Sequence, residues 1–171
     1  MDEVIERFQE NLLLIRRTVG WSADQFGEKI GVTRQTINNL ERKDTNIKLN
    51  KTIYIAMRAV LADEIHNSKD DTHMLSSILE IFVDHPENYD EKAKQELLSK
   101  ANMIAPSILA KDSNTSRKDA SDMWCDILAG LIAIGTSAAL VAIFGNSKTF
   151  NNTFGWLTKT SGSSTKKLTK K

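Results

Sequence analysis

Two glycines eleven positions apart, Gly20 and Gly31, each precede a hydroxyl side chain by two residues: Ser22 in one case, Thr33 in the other. A glycine that ends one helix, followed by a Ser or Thr whose oxygen accepts from the free N–H groups of the next, is the chemistry of an abrupt helix-to-helix turn. The stretch GWSADQFGEKIGVTRQTINNLE, Gly20 to Glu41, therefore reads as two short helices. One is capped by Ser22 and ends at Ile30; the other is capped by Thr33 and runs from Arg34 to about Glu41. Before them, Val4, Phe8, Leu12 and Ile15 fall on one face of a helix that stops at Gly20. After them, Asn50 caps a helix that turns Ile53, Ala56, Val60 and Leu61 inward.

The rest of the chain carries the same helical period. Met74, Leu75, Ile78, Leu79, Phe82 and Val83 form an apolar stripe that Pro86 brings to an end. Asp90 is placed to cap a following helix with Ala93, Leu97, Leu98, Ala101 and Ile104 on one side. With only 2 prolines and 8 glycines in 171 residues, the expected fold class is all-α. It divides into a helix-turn-helix domain over 1–65, a central helical pair for dimerisation or regulation over 70–110, and a polar linker over 111–122. A C-terminal hydrophobic helix over 123–146 and a basic tail over 147–171 complete it.

Residues 12–61 resemble the phage-repressor-like (Xre/Cro/C1) helix-turn-helix family. Ile15-Arg16-Arg17 stands where the family usually shows Leu-Arg-Lys, Phe26 and Ile30 take the core positions of the second helix, and Gly31 and Val32 form the turn. Ile37 and Leu40 anchor the third helix and Glu41 closes it. The resemblance implies a lambda-repressor-like bundle whose third helix enters the major groove of double-stranded DNA. Carried over position by position, it implies base reading by Arg34, Gln35 and Asn39, with Thr36 and Asn38 beside them. Arg suits guanine O6 and N7, Gln and Asn suit adenine N6 and N7, and a Thr methyl suits thymine. Arg16, Arg17, Thr33, Arg42, Lys43 and Lys48 are expected at phosphates. Two positions depart from the family pattern: Ala23 replaces a common Gln, and Gly27 a common Ala, at a cost of about 1 kcal/mol in helix propensity.

A net charge of +1 conceals segregation along the chain. Residues 1–60 carry 10 Lys/Arg against 8 Asp/Glu, residues 61–110 carry 4 against 10, and residues 111–171 carry 9 against 4. The basic ends suit polyanions and the acidic middle does not. His66, His73, His85 and Cys125 lack metal-ligand spacing, and no phosphate-cradling loop or nucleophile motif is present. The sequence therefore predicts neither metal nor cofactor, and no enzyme. A single cysteine and an acidic N-terminus without a signal pattern fit the cytoplasm.

Residues 127–145 (ILAGLIAIGTSAALVAIFG) carry no charge, which leaves two expectations open. Their length suits a bilayer span in contact with lipid, tethering the chain to the cytoplasmic membrane. However, a single crossing that leaves the DNA-binding end inside would export Lys148, Lys159, Lys166, Lys167, Lys170 and Lys171, against the positive-inside rule. The other expectation is a buried helix for self-association. The expected function is accordingly a repressor acting as a homodimer on a two-fold operator. Its rival is a membrane-acting effector whose C-terminal helix oligomerises in lipid, with the N-terminal domain regulatory.

Overall fold

The computed structural model describes residues 2–109 and 116–133. Its first two helices, α1 (Asp2–Glu10) and α2 (Leu12–Val19), take the place of the single helix expected from Val4 to Gly20. The break is at Asn11, whose side-chain amide donates to the Arg7 carbonyl at 2.8 Å and competes with the backbone ladder. The apolar face survives the break, since Ile5, Phe8, Leu12, Ile15 and Val19 are all buried. Helix α2 ends on Gly20, whose φ of 79° turns the chain sharply.

Helix α3 (Ala23–Ile30) opens with a reciprocal cap. Ser22 Oγ accepts from the Gln25 N–H at 3.1 Å, and Gln25 Oε1 accepts from the Ser22 N–H at 2.8 Å. Gly31, at φ 75°, ends it. Helix α4 (Arg34–Glu41) starts on Thr33, and α5 (Lys51–Asn67) on Asn50, whose Oδ1 accepts from the Ile53 N–H at 2.9 Å. A short 3-10 turn (Lys69–Asp71) leads into α6 (His73–Leu79), which widens into a π turn over Glu80–Asp84 before Pro86 stops it. Helix α7 (Glu91–Leu109) is capped by Asp90, as expected, and continues through Pro106.

The last described helix, α8 (Arg117–Ala133), corrects the expected linker over 111–122. Ser116 and Asp119 cap each other: the Asp119 N–H donates to Ser116 Oγ at 3.1 Å, and the Ser116 N–H to Asp119 Oδ2 at 2.9 Å. The run looks polar because one side of the helix pairs with charges elsewhere. Arg117 Nη1 lies 2.6 Å from Glu64 Oε1 and also donates to the Val19 carbonyl. The other side is apolar and buried, through Ala120, Trp124, Cys125 and Leu128.

A single cluster of buried side chains joins all of these helices. Helix α2 packs on α4, α6 and α7, and α8 lies over α6 and α7. The expected stripe from Met74 to Val83 is entirely inside, and Leu97, Ala101 and Ile104 of α7 are buried in the same cluster. Removing one such Leu or Ile side chain from water contributes roughly 1.5–3 kcal/mol. Helices α3 and α4 thus rest on the same core as α6, α7 and α8. Among the described residues, no helix is long and apolar enough to cross a membrane. Most of the apolar segment, 134–145, and the tail, 147–171, lie outside the described residues.

Candidate nucleic-acid interface

Helix α3 lies tight against the turn into α4 at Gly27. A Cβ built there would lie 2.6 Å from the Val32 carbonyl oxygen, closer than any ordinary contact. The missing side chain lets the turn 31–33 fold against the middle of α3, where the Val32 N–H donates to the Gly27 carbonyl at 2.9 Å. Helix α4 is then fixed from below by Ile37 and Leu40, which are 0% and 3% exposed. At about 100° per residue, this anchoring turns Gln35 and Asn39 to the opposite side, with Thr36 and Asn38 flanking them.

Thr33 organises the start of α4. Its Oγ1 accepts from the Thr36 N–H at 3.1 Å, and the two hydroxyls share a bond of 3.0 Å. Along the outer face, Gln35 Nε2 donates to Asn39 Oδ1 at 2.8 Å. At the far end, Glu41 is held by Arg16: Nη2 donates to Oε2 at 2.9 Å, Nε donates to Oε1, and Nη1 donates to the Trp21 carbonyl. Trp21 in turn stacks on Phe26, with Lys29 Nζ 4.6 Å above its ring.

Between α4 and α5 the chain runs without regular structure from Arg42 to Asn50, fastened by Thr45, whose Oγ1 donates to the Asn39 carbonyl at 2.9 Å, and by Gln9. Gln9 Nε2 donates to the Leu40 and Ile47 carbonyls at 3.2 and 2.7 Å, while its Oε1 accepts from the Leu49 N–H at 2.8 Å. This segment also forms one wall of an open groove of about 1270 Å³ whose other walls include α1 and α7.

The family model described as helix-turn-helix matches residues 12–51, which contain this assembly from α2 to the start of α5. The N-terminal region is an Xre/Cro/C1-type helix-turn-helix. No curated protein and no solved structure matches the chain. The helix-turn-helix supports a DNA-binding transcription regulator.

Within the helix-turn-helix, Arg34 and Gln35 are exposed and Thr36, Asn38 and Asn39 half-buried, all on α4. Arg17, Thr33, Arg42, Lys43 and Lys48 lie around that helix in sequence and are at least partly open to solvent. Arg42 is tied to Asp44, with Nη2 2.6 Å from Oδ2. The hydrogen bond between them raises the pKa of the guanidinium and holds the Asp44 carboxyl below its ordinary range. Lys48 Nζ faces Glu6 at 3.5 Å. Among the described residues, Arg17, Arg34 and Lys43 have no ion-pair partner, so they bring uncompensated positive charge to this end of the protein.

Arg16 requires a correction. Expected at a phosphate, it is 8% exposed, and its guanidinium is engaged by Glu41 and Trp21. It ties α2 to the end of α4 and sets the angle of the outer face. Gln9 escaped the sequence reading because its partners lie 31 to 40 positions away, and no local pattern marks it.

Proposed function

We propose that the protein is a sequence-specific repressor that binds a two-fold operator as a homodimer. The observation that carries this reading is the outer face of α4. Its inner side is consumed by Ile37 and Leu40, leaving Gln35 and Asn39 pointing outward with Thr36 and Asn38 beside them. Those four and Arg34 read base edges in the major groove. Arg17, Thr33, Lys43 and Lys48 meet phosphates, and Arg42 joins them by giving up its contact with Asp44.

Self-association is supported by the placement of the apolar run. It begins on α8 at Ile127, between the buried Trp124 and Leu128. A run that starts on a helix packed into the core would give two copies joined through it a defined relative orientation. Such an orientation is what half-sites about 34–36 Å apart require. Its position fits assembly between chains better than a distant membrane tether.

The test is selection of binding sites from a randomised duplex library by the full chain, followed by sedimentation of the complex. The expected result is a near-palindromic site, two chains per duplex, and an affinity that falls steeply as salt rises. A reporter with that site overlapping its promoter should lose expression when the protein is made. A selection that enriches no sequence overturns the reading. One chain per site overturns the homodimer, and recovery of the full chain in carbonate-washed membranes restores the lipid reading of 127–145.

A further inference from the structure

Arg42 and Lys48, two of the cations placed at phosphates, each already hold a carboxylate. Arg42 Nε donates to Asp44 Oδ1 at 3.0 Å and its Nη2 to Oδ2 at 2.6 Å, while Lys48 Nζ lies 3.5 Å from Glu6 Oε1. Both pairs stand on backbone that is fixed from elsewhere. The Thr45 hydroxyl bridges the Asn39 and Arg42 carbonyls at 2.9 and 3.1 Å, closing the turn on which Arg42 and Asp44 meet. Gln9 binds the Ile47 carbonyl and the Leu49 N–H, so the residue between them, Lys48, is pinned against α1 one helical turn from Gln9, at Glu6. Asp2, Glu6 and Glu10 fall at four-residue intervals on one side of α1, and they line the same groove as Arg42, Lys43 and Lys48.

We infer that Asp44 and Glu6 are internal competitors of DNA phosphate, carboxylates that restrain DNA binding through the cations they hold; this rests on the reading of Arg42 and Lys48 as phosphate contacts. Carboxylate and phosphate oxygens are both anionic acceptors, and a guanidinium fork takes either of them two-pronged. To meet a phosphate with the edge that carries Nε, Arg42 must leave Asp44. To meet it with the other edge, Arg42 must draw the phosphate up against a like charge. Either course weakens binding, and neither arises when Arg42 is absent, since nothing then draws a phosphate to that place. The same reasoning holds for Lys48, a point charge shared with Glu6. The effect is blind to sequence, because phosphates carry no base identity. It lowers affinity for every duplex alike, so that without base contacts from α4 the chain holds DNA weakly.

The test is binding of the full chain to a DNA duplex of random sequence at several salt concentrations, which needs no knowledge of an operator. Asp44→Asn and Glu6→Gln should each raise affinity about two- to fivefold, the span expected of an exposed ion pair, and together on the order of tenfold. Made in an Arg42→Ala background, Asp44→Asn should lose most of its gain, as should Glu6→Gln in a Lys48→Ala background. Glu3→Gln removes the same charge from α1, but its carboxylate pairs with Arg7 at 3.9 Å, and affinity should not change. All of these side chains are exposed, so thermal melts of the variants should match wild type. Each pair stands or falls by its own cycle. Unchanged affinity in the single variant, or a gain that persists in full without the cation, overturns that pair and leaves the DNA-binding reading intact. A Glu3→Gln gain equal to that of Glu6→Gln assigns the effect to net charge and overturns the role of Glu6. Binding of no duplex at low salt by wild type or by any variant overturns the DNA-binding reading, and this inference with it.

Discussion

Arg16, near the end of α2, and Glu41, the last residue of α4, form a two-pronged ion pair whose side chains are 9% and 7% exposed. Nη2 meets Oε2 at 2.9 Å while Nε meets Oε1, and the remaining terminal nitrogen reaches the Trp21 carbonyl. The planar fork of the guanidinium matches the carboxylate edge to edge, a geometry that lysine cannot reproduce. Residues 25 positions apart are thereby brought into fixed register.

Removing one partner should cost far more than removing both. Glu41→Ala leaves a buried guanidinium without its anion and should destabilise the protein by about 3–5 kcal/mol in urea unfolding. Arg16→Met combined with Glu41→Leu should recover much of that loss. A cost below about 1 kcal/mol for Glu41→Ala would mean that the pair behaves as an exposed one. Arg17→Ala, by contrast, should leave stability unchanged and lower the salt dependence of DNA binding by about one phosphate contact.

At Gly27, helix propensity and packing pull in opposite directions. Alanine is worth about 1 kcal/mol more than glycine inside a helix, so propensity alone favours Gly27→Ala. Its Cβ, however, would sit 2.6 Å from a backbone oxygen of the turn that carries Val32 and Thr33. Overpacking of this kind costs typically 1–3 kcal/mol and here displaces the start of α4. Gly27→Ala should therefore lower the melting temperature and reduce operator affinity. A raised melting temperature would show that the turn yields without cost.

Gln9 gives a different signature. Gln9→Ala leaves the Leu40 and Ile47 carbonyls and the Leu49 N–H without this partner, at a cost of about 1–3 kcal/mol. Hydrogen exchange at the Leu49 amide should accelerate well before the core amides do. Because Lys43 and Lys48 ride on the freed segment, DNA affinity should fall by a similar factor for every sequence, leaving base preference intact. A changed preference would place Gln9 closer to the bases than its bonds suggest.

Stability should decline as pH rises from about 5 to about 8. The pKa of His85 is raised above its ordinary 6.5, first by its hydrogen bond to Glu87 and then by the charge of Glu80. Such a group stabilises fully below the unfolded value, and the contribution is lost as pH rises through the folded one. Glu80 is raised above 4.5 by burial, so its contribution too is present in acid and lost as it ionises. Thermal melts should show the decline, and Glu87→Gln should flatten its part above about pH 6.5, where His85 titrates. A melting temperature that rises across the same window would contradict both assignments.

The local grammar of this fold was legible because its signals are short-ranged. Ser22, Thr33, Asn50 and Asp90 cap the helices that their positions announced, and Gly20 and Gly31 adopt the positive φ their placement suggested. Ser116 and Asp119 carry an equally local signal, a hydroxyl three residues before a carboxylate. It was masked by the polar residues around it. Arg16 was misplaced for a different reason. It lies beside Ile15 on a helix with an inward face, and only a partner on another helix distinguishes a buried arginine from one waiting for phosphate. On α4 the residue types suggested base reading. The hydrogen bond between Gln35 and Asn39 depends on side-chain orientation, which periodicity does not encode.

Trp124 is wholly buried in α8, more than eighty positions beyond the last residue of α4, in the same cluster as Ile37 and Leu40. Since that cluster is continuous, the indole and α4 should share one melting transition. DNA that binds only the folded form would therefore shield Trp124 from solvent without touching it. The reverse also holds: damage to that one indole should weaken DNA binding from afar.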